Sequence, residues 1–296
     1  MRRKVLNLQG SLRQFMSSLR GSSTDRVDAL RRVFPDHERV SRTSLSKLIG
    51  GRSRTREPAG GRAYLLCMTP RSGSSFLSDI LGQTGSVGIA KEHFPTSPED
   101  PLPSWLAQCG SLEDAFRILQ EDAPSGYFGI KGGLFQMFPL ISEGVFAGPN
   151  SIFKHLYLTR RDRVGQAISL ARAVKTNEWH SSDAPAPDPD LSFEDVLFYL
   201  RYIRSMAADW ETVFSALQIN PLHLYYEDLI TDPSSTFERI RQHLDVQWKI
   251  SPADVVSVHQ SLSQRHDPGW KQKLRDQFAS FDESGIPDRQ SELAQD

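Results

Sequence analysis

The stretch Tyr64-Leu-Leu-Cys-Met-Thr-Pro-Arg-Ser-Gly-Ser-Ser-Phe-Leu77 constrains this chain more than any other. Ala63 to Met68 is a short apolar run suited to a buried strand, Thr69-Pro70-Arg71-Ser72-Gly73 breaks it, and Phe76, Leu77, Ile80 and Leu81 then recur at helical spacing. Strand, tight loop and helix aim backbone N–H groups and the positive end of a helix at one point, which suits an anion and above all a phosphate. Arg71 adds a permanent planar charge, and Ser72, Ser74 and Ser75 add hydroxyls. The loop is not a Walker A motif, because Gly-Lys-Ser/Thr is missing. An ordinary strand–loop–helix corner has the same local pattern, so the rest of the chain must decide between the two.

Beyond this corner, strand and helix signals alternate. Phe128-Gly-Ile-Lys131 and Ser151 to Thr159 read as strands, and Arg160 to Val174 opens a helix. Ser192-Phe-Glu-Asp195 caps a long amphipathic helix whose aromatics read as core, Leu222 to Tyr226 is a fourth strand, and Asp232-Pro233 starts another helix. Such alternation predicts an α/β fold with a central, mainly parallel sheet flanked by helices. Two cysteines make no disulfide framework, and Cys67, inside the first strand, reads as a small buried hydrophobe. The eight histidines are scattered without ligand spacing, so no metal is expected. No run reaches transmembrane length and no apolar segment follows the basic start, so the reading is cytoplasmic.

Residues 1–62 hold 15 Lys/Arg against 5 Asp/Glu, although the whole chain carries a formal charge of −1. The basic excess therefore sits ahead of the strand–loop–helix corner, and nucleic acid is not an expected partner. Within 1–21, Leu8, Leu12, Phe15 and Leu19 recur at helical spacing beside Arg2, Arg3, Lys4, Arg13 and Arg20. Four readings stand: a helix lying on the inner membrane surface, a basic tail, a helix packed on the domain, or an organellar transit peptide; Gly10 and several serines weaken the membrane helix. A second helix is expected from Asp25 to Val33, and residues 50–62 read as a linker. The boundaries expected are 1–62 for a basic extension and linker, 63–281 for the main domain, and 282–296 for a polar tail.

The Arg-Ser-Gly-Ser loop resembles the 5′-phosphosulfate loop of sulfotransferases that use 3′-phosphoadenosine 5′-phosphosulfate (PAPS). Arg71, where many sulfotransferases have Lys, makes it similar to the bacterial trehalose 2-sulfotransferase family. The run from Arg160 through Ser169 to Trp179 resembles the same family more specifically, and the likeness covers about residues 63–278. It implies the P-loop-like sulfotransferase fold and sulfuryl transfer from PAPS to a hydroxyl of a carbohydrate or glycolipid. It assigns Arg71, Ser72, Gly73, Ser74 and Ser75 to the 5′-phosphosulfate, Arg160 and Ser169 to the 3′-phosphate, and Arg265 to a closing segment. Ala90-Lys-Glu-His-Phe94 matches the family's Pro-x-Glu-aromatic-Phe motif in its glutamate and last aromatic, but lacks the proline and has His93 for an aromatic. The resemblance makes Glu92 the general base, with His93 the next candidate. Lys131, in a family-like Gly-x-Lys, reads as a transfer-stabilising cation or as a surface lysine. Trp179 reads as acceptor pocket or core. The likeness also implies a homodimer. Two rivals remain, a kinase of the same fold superfamily and a non-catalytic, membrane-associated family member.

Overall fold

The computed structural model describes residues 22–39, 41, 62–94, 102–146, 151–179, 187, 189–252, 254, 272 and 276. The chain divides into two compact units, Met1–Arg161 with Arg201–Gln260, and Asp162–Leu200 with Ser261–Asp296. The expected helix within 1–21, the linker residues 50–61 and the tail beyond 281 lie outside the described residues.

The first unit is built on four strands: β1 (Arg62–Met68), β2 (Tyr127–Gly132), β3 (Phe153–Thr159) and β4 (Leu222–Tyr225), in the order β2-β1-β3-β4. All three pairings are parallel, as the alternating strand and helix signals predict. β1 and β2 are buried almost throughout, and their near-continuous apolar sequences are those of parallel strands covered on both faces. Tyr64 of β1 packs against Gly129, its partner on β2, where a Cβ would come within 2.4 Å of the ring. Its hydroxyl then donates to Gly88 O at 2.7 Å.

Helix α1 (Ser23–Val33) covers the range expected from the sequence, with Ser22 and Asp25 forming a reciprocal capping box. Val27, Leu30 and Phe34 belong to the same buried cluster as β1 and β2, so this part of the basic extension is structural. Helix α2 (Ser74–Gln83) follows the β1 loop, and α3 (Ser104–Ala107) and α4 (Leu112–Asp122) lead back to β2. Helix α5 (Leu134–Ser142) was not marked by the sequence pattern. It is buried nearly all round and carries Pro139 in its interior, so it shows neither an amphipathic period nor an uninterrupted helical signal. Around its end, Ser142 accepts from Arg31 at its carbonyl, donates to Glu38 at 2.9 Å and meets Ser41 at 3.1 Å, tying α5 to the α1 region.

The second unit holds α6 (Arg163–Thr176) and the start of α7 (Phe193–Leu217). Asp162 caps α6 by accepting from Gly165 N at 2.8 Å, and Asn177 ends it in the left-handed conformation. Arg172, buried, pairs with Glu178 at 2.8 Å, and Ser192 and Asp195 cap α7 as their spacing predicts. Along α7, Val196, Ile203, Trp210, Val213, Phe214 and Leu217 are buried; of its six aromatics only Trp210 and Phe214 are core, whereas Phe193 and Tyr199 are half-buried and Phe198 and Tyr202 exposed, so the sequence expectation of core aromatics holds for the second half of the helix alone. Helix α8 (Tyr226–Thr231) follows β4 directly, and α9 (Pro233–Leu244) begins on the Asp232 cap. Among the described residues, no helix is long and apolar enough to cross a membrane.

Candidate active site

Parallel pairing fixes which loops can meet. Cys67 pairs with Gly132, Met68 with Leu158, and Thr159 with Tyr225, so the carboxyl ends of all four strands lie at one edge. From β1 the chain goes on to β2 on one side, and from β3 to β4 on the other. The topological switch thus falls between β1 and β3, where open α/β sheets bind ligands. Arg71 follows β1 and Arg160 follows β3. They meet at this point, with Arg160 Nη1 donating to Arg71 O at 3.5 Å.

The loop after β1 is held from behind, where buried Trp210 donates its indole N–H to Met68 O at 3.1 Å. Arg71 adopts φ 60° and Gly73 φ 91°. For a side chain with a Cβ, the left-handed region at Arg71 costs roughly 1–2 kcal/mol, a strain typical of functional loops. Gly73 is fixed twice over, by its φ and because a Cβ would sit 2.3 Å from Tyr226 Cδ2. Gly73 N-caps α2 and, having no side chain, makes no cap hydrogen bond to this positive helix end. Ser72 is buried and its Oγ has no hydrogen-bond partner.

Glu92 is held more firmly than its glycine-rich approach suggests. Gly88 N donates to Tyr127 O at 2.7 Å, Ser78 Oγ to Ala90 O at 2.7 Å, and Lys131 N to Lys91 O at 2.9 Å. Lys91 thereby makes an isolated parallel bridge to Ile130, which pins the segment along β2. Each oxygen of the Glu92 carboxylate has its own partner. Oε1 lies 3.3 Å from Lys131 Nζ, and Oε2 accepts from Gln136 Nε2 at 2.8 Å. The Gln136 amide is itself oriented, since its Oε1 accepts from Gly133 N at 2.9 Å at the start of α5. Lys131, with 8% of its side chain exposed, also donates to Ser75 Oγ at 2.9 Å in the first turn of α2. One buried cation therefore joins the first turn of α2 to the carboxylate, so Lys131 is not a surface lysine.

Arg160 and Arg161 dock on the β4–α8 junction. Arg160 stacks on Tyr226 at 4.7 Å and Arg161 on Tyr225 at 4.1 Å. Arg161 is engaged in full: its guanidinium holds Asp228 and its N–H donates to Glu227 at 3.0 Å. Arg160 is not. Its Nε is buried without a hydrogen bond, and Glu227 Oε1 lies 3.9 Å away. A guanidinium fixed by stacking with donors to spare is prepared for an anion.

His93 is buried edge-on against Trp105 at 5.2 Å, and burial, with Lys91 nearby, pushes its pKa down to about 4. Within the second unit, Ser169 is half-buried two turns into α6, and Trp179 is exposed with its indole N–H on Asn177 at 3.0 Å. Arg265 lies outside the described residues. Gln136 and Tyr226 were missed by the sequence reading: a lone Gln in an apolar run carries no motif, and Tyr226 reads only as the last residue of the fourth strand. Among the described residues, no three His, Cys, Asp or Glu side chains gather in a way that would hold a metal.

The model of the Stf0 sulphotransferase family matches residues 63–125 and 144–277, more than half of the chain. The chain belongs to the Stf0 sulphotransferase family. Both matched segments carry site residues, the β1 loop and Glu92 in the first and Arg160 in the second. Trehalose 2-sulfotransferase of Mycobacterium tuberculosis is 23% identical over 257 residues, covering 72% of this chain and 94% of that protein. The protein of the same name from Mycolicibacterium smegmatis gives the same four values. Among solved structures, the sulfotransferase domain of the Synechococcus PCC 7002 olefin synthase covers 78% of this chain and 93% of its own. At 16% identity and a TM-score of 0.39, that likeness carries no argument. Family and sheet together give an α/β sulfotransferase fold, and the Stf0 membership makes the chain a transferase.

Proposed function

We propose that this chain transfers the sulfuryl group of PAPS to a hydroxyl of a carbohydrate acceptor. The observation that carries the reading is the Lys131 bridge, in which one cation touches both Ser75 at the start of α2 and the oriented Glu92 carboxylate. The residues fit the donor: Ser72 Oγ and Arg160 Nε are buried without hydrogen bonds, and the start of α2 has no side-chain cap. Arg71 and the backbone of Ser72 to Ser75 bind the 5′-phosphosulfate, and Arg160 binds the 3′-phosphate that distinguishes PAPS from ATP. Ser169 joins Arg160 in this reading through its sequence spacing and the family resemblance. The two relatives named trehalose 2-sulfotransferase support a sugar acceptor.

The donor supplies an activated sulfuryl group to an acceptor oxygen in line with the leaving phosphate. Glu92 takes the acceptor proton, with Gln136 and Lys131 fixing the direction of its two oxygens. Lys131 and Arg71 stabilise the charge that grows on the transferring and leaving oxygens. The test is turnover of labelled PAPS with a trehalose-containing acceptor panel. Glu92→Gln should lower kcat by roughly 10²-fold or more, in line with loss of a general base, and leave affinity for 3′,5′-PAP (adenosine 3′,5′-bisphosphate) nearly unchanged. Full activity in Glu92→Gln would remove Glu92 from the mechanism.

A further inference from the structure

A second site of opposite address lies in the same unit. A cavity of about 430 Å³ opens at the amino end of β3, lined by Arg26 of α1, Ser151 and Lys154, Gln218 and Asn220 before β4, and His243 of α9. From Lys154 to Arg160 the chain runs six residues, nearly all of them along β3, so at about 3.3 Å per residue the two regions lie roughly 20 Å apart. The cavity is therefore not an extension of the candidate active site.

Its chemistry is one-sided. Arg26 and Lys154 bring two basic side chains, and among the described residues lining it there is no carboxylate. The nearest acid in sequence, Asp25, is turned back on Ser22, meeting its N–H and its hydroxyl at 2.8 Å each. Arg26 Nε and His243 Nε2 are both buried without a hydrogen-bond partner. Both side chains line the cavity and keep a nitrogen that no protein group engages; Arg26 Nε can only donate, and His243 Nε2 donates once the imidazole is protonated, so a partner that accepts hydrogen bonds suits both. Burial, and to a smaller extent Lys154, lowers the basicity of His243, while the His155 backbone opposes the shift. The neighbouring His155 is occupied, with Nε2 2.9 Å from Phe146 O. The volume is that of a small-molecule site rather than a bare ion.

We propose that this cavity binds a phosphate or sulfate monoester of a small polar molecule. Its anion meets Arg26, Lys154 and His243, and its hydroxyl-bearing body meets the amides of Gln218 and Asn220. Neither the family match nor the proposed transfer reaction assigns this site, and the proposal stands whether or not that reaction is correct.

The experiment uses the full chain labelled with ¹⁵N-histidine, with the His243 imidazole signals identified by His243→Asn. Glucose 6-phosphate and inorganic phosphate are titrated separately at constant ionic strength. The expected result is a saturable shift of the His243 signals, with at least threefold tighter binding of the ester. Arg26→Gln should weaken it at least tenfold and Arg160→Ala should leave it unchanged. Lys154→Gln, at an exposed position, provides the same test should Arg26→Gln fail to fold. No saturable shift, a shift that both cavity variants leave intact, or a shift lost in Arg160→Ala would overturn the proposal. Equal affinity for the two probes would overturn the assignment of the ester body.

Discussion

Replacing Gln136 by Leu separates positioning from packing at the candidate site. Gln136 is 6% exposed and makes two hydrogen bonds, donating to Glu92 at 2.8 Å and accepting from Gly133 N at 2.9 Å. Leu keeps much of the volume and loses both bonds. The buried Gly133 N–H is left unsatisfied at a cost of about 1–3 kcal/mol, and the bond to the carboxylate adds about 1.5–3 kcal/mol less the share that water restores to half-exposed Glu92. A net loss of about 3 kcal/mol should lower Tm by roughly 5 °C in a chain of 296 residues. The kinetic effect is separate. Glu92 keeps Lys131 on one oxygen and loses the restraint on the other, so the carboxylate turns about a single contact. Misdirection on the scale of 1 Å costs up to roughly 10²-fold, so kcat should fall by about 10- to 100-fold with PAP affinity unchanged. The assay pairs thermal unfolding with kcat at saturating donor, well below the variant's Tm. A lowered Tm with unchanged kcat would refute the idea that Gln136 acts through Glu92.

Lys131→Met should lower kcat by roughly 10²-fold and also weaken PAP, because it breaks the links to both Ser75 and Glu92; steady-state kinetics with an unchanged kcat would contradict this. Gly129→Ala should destabilise by about 1–3 kcal/mol through overpacking, since its Cβ would press within 2.4 Å of the Tyr64 ring on the paired strand, and thermal unfolding reads the effect. The buried imidazoles of His93 and His155 both have pKa values pushed down from 6.5 to about 4, chiefly by burial. The unfolded chain then binds more protons between these values, so stability should fall as pH drops below about 6.5 and level off near pH 4. Denaturant titrations at pH 7.5 and 5 measure the slope, and His155→Gln should reduce it.

The parts of the fold legible in the sequence were those whose signal is local. β1, the Arg71 loop and α2 combine an apolar run, a breaker and a helical period within twenty residues, and the structure reproduces all three. The cap residues Asp232 and Ser192 were legible for the same reason, since capping acts over three residues. α5 was not, because a helix buried on every side has no polar face to set its period, and Pro139 reads as a break. Nor was the role of Gln136, which depends on Glu92, 44 residues away in sequence. The stacking of Arg160 on Tyr226 needs β3 and β4 to be neighbours, a fact of sheet order that no local pattern states. α1 was visible as a helix, whereas its burial was hidden by a polar composition in which only Val27, Ala29 and Leu30 face inward.

The central claim is that the switch point between β1 and β3 holds a 3′-phosphorylated adenine nucleotide. Calorimetric titration of the full chain and of Arg160→Ala with PAP and with ATP tests it most directly. The account predicts that PAP binds, that ATP binds far more weakly, and that Arg160→Ala weakens PAP by roughly 10- to 150-fold, the range of a charged hydrogen bond. Equal binding of PAP and ATP, or PAP affinity untouched by the substitution, would contradict it.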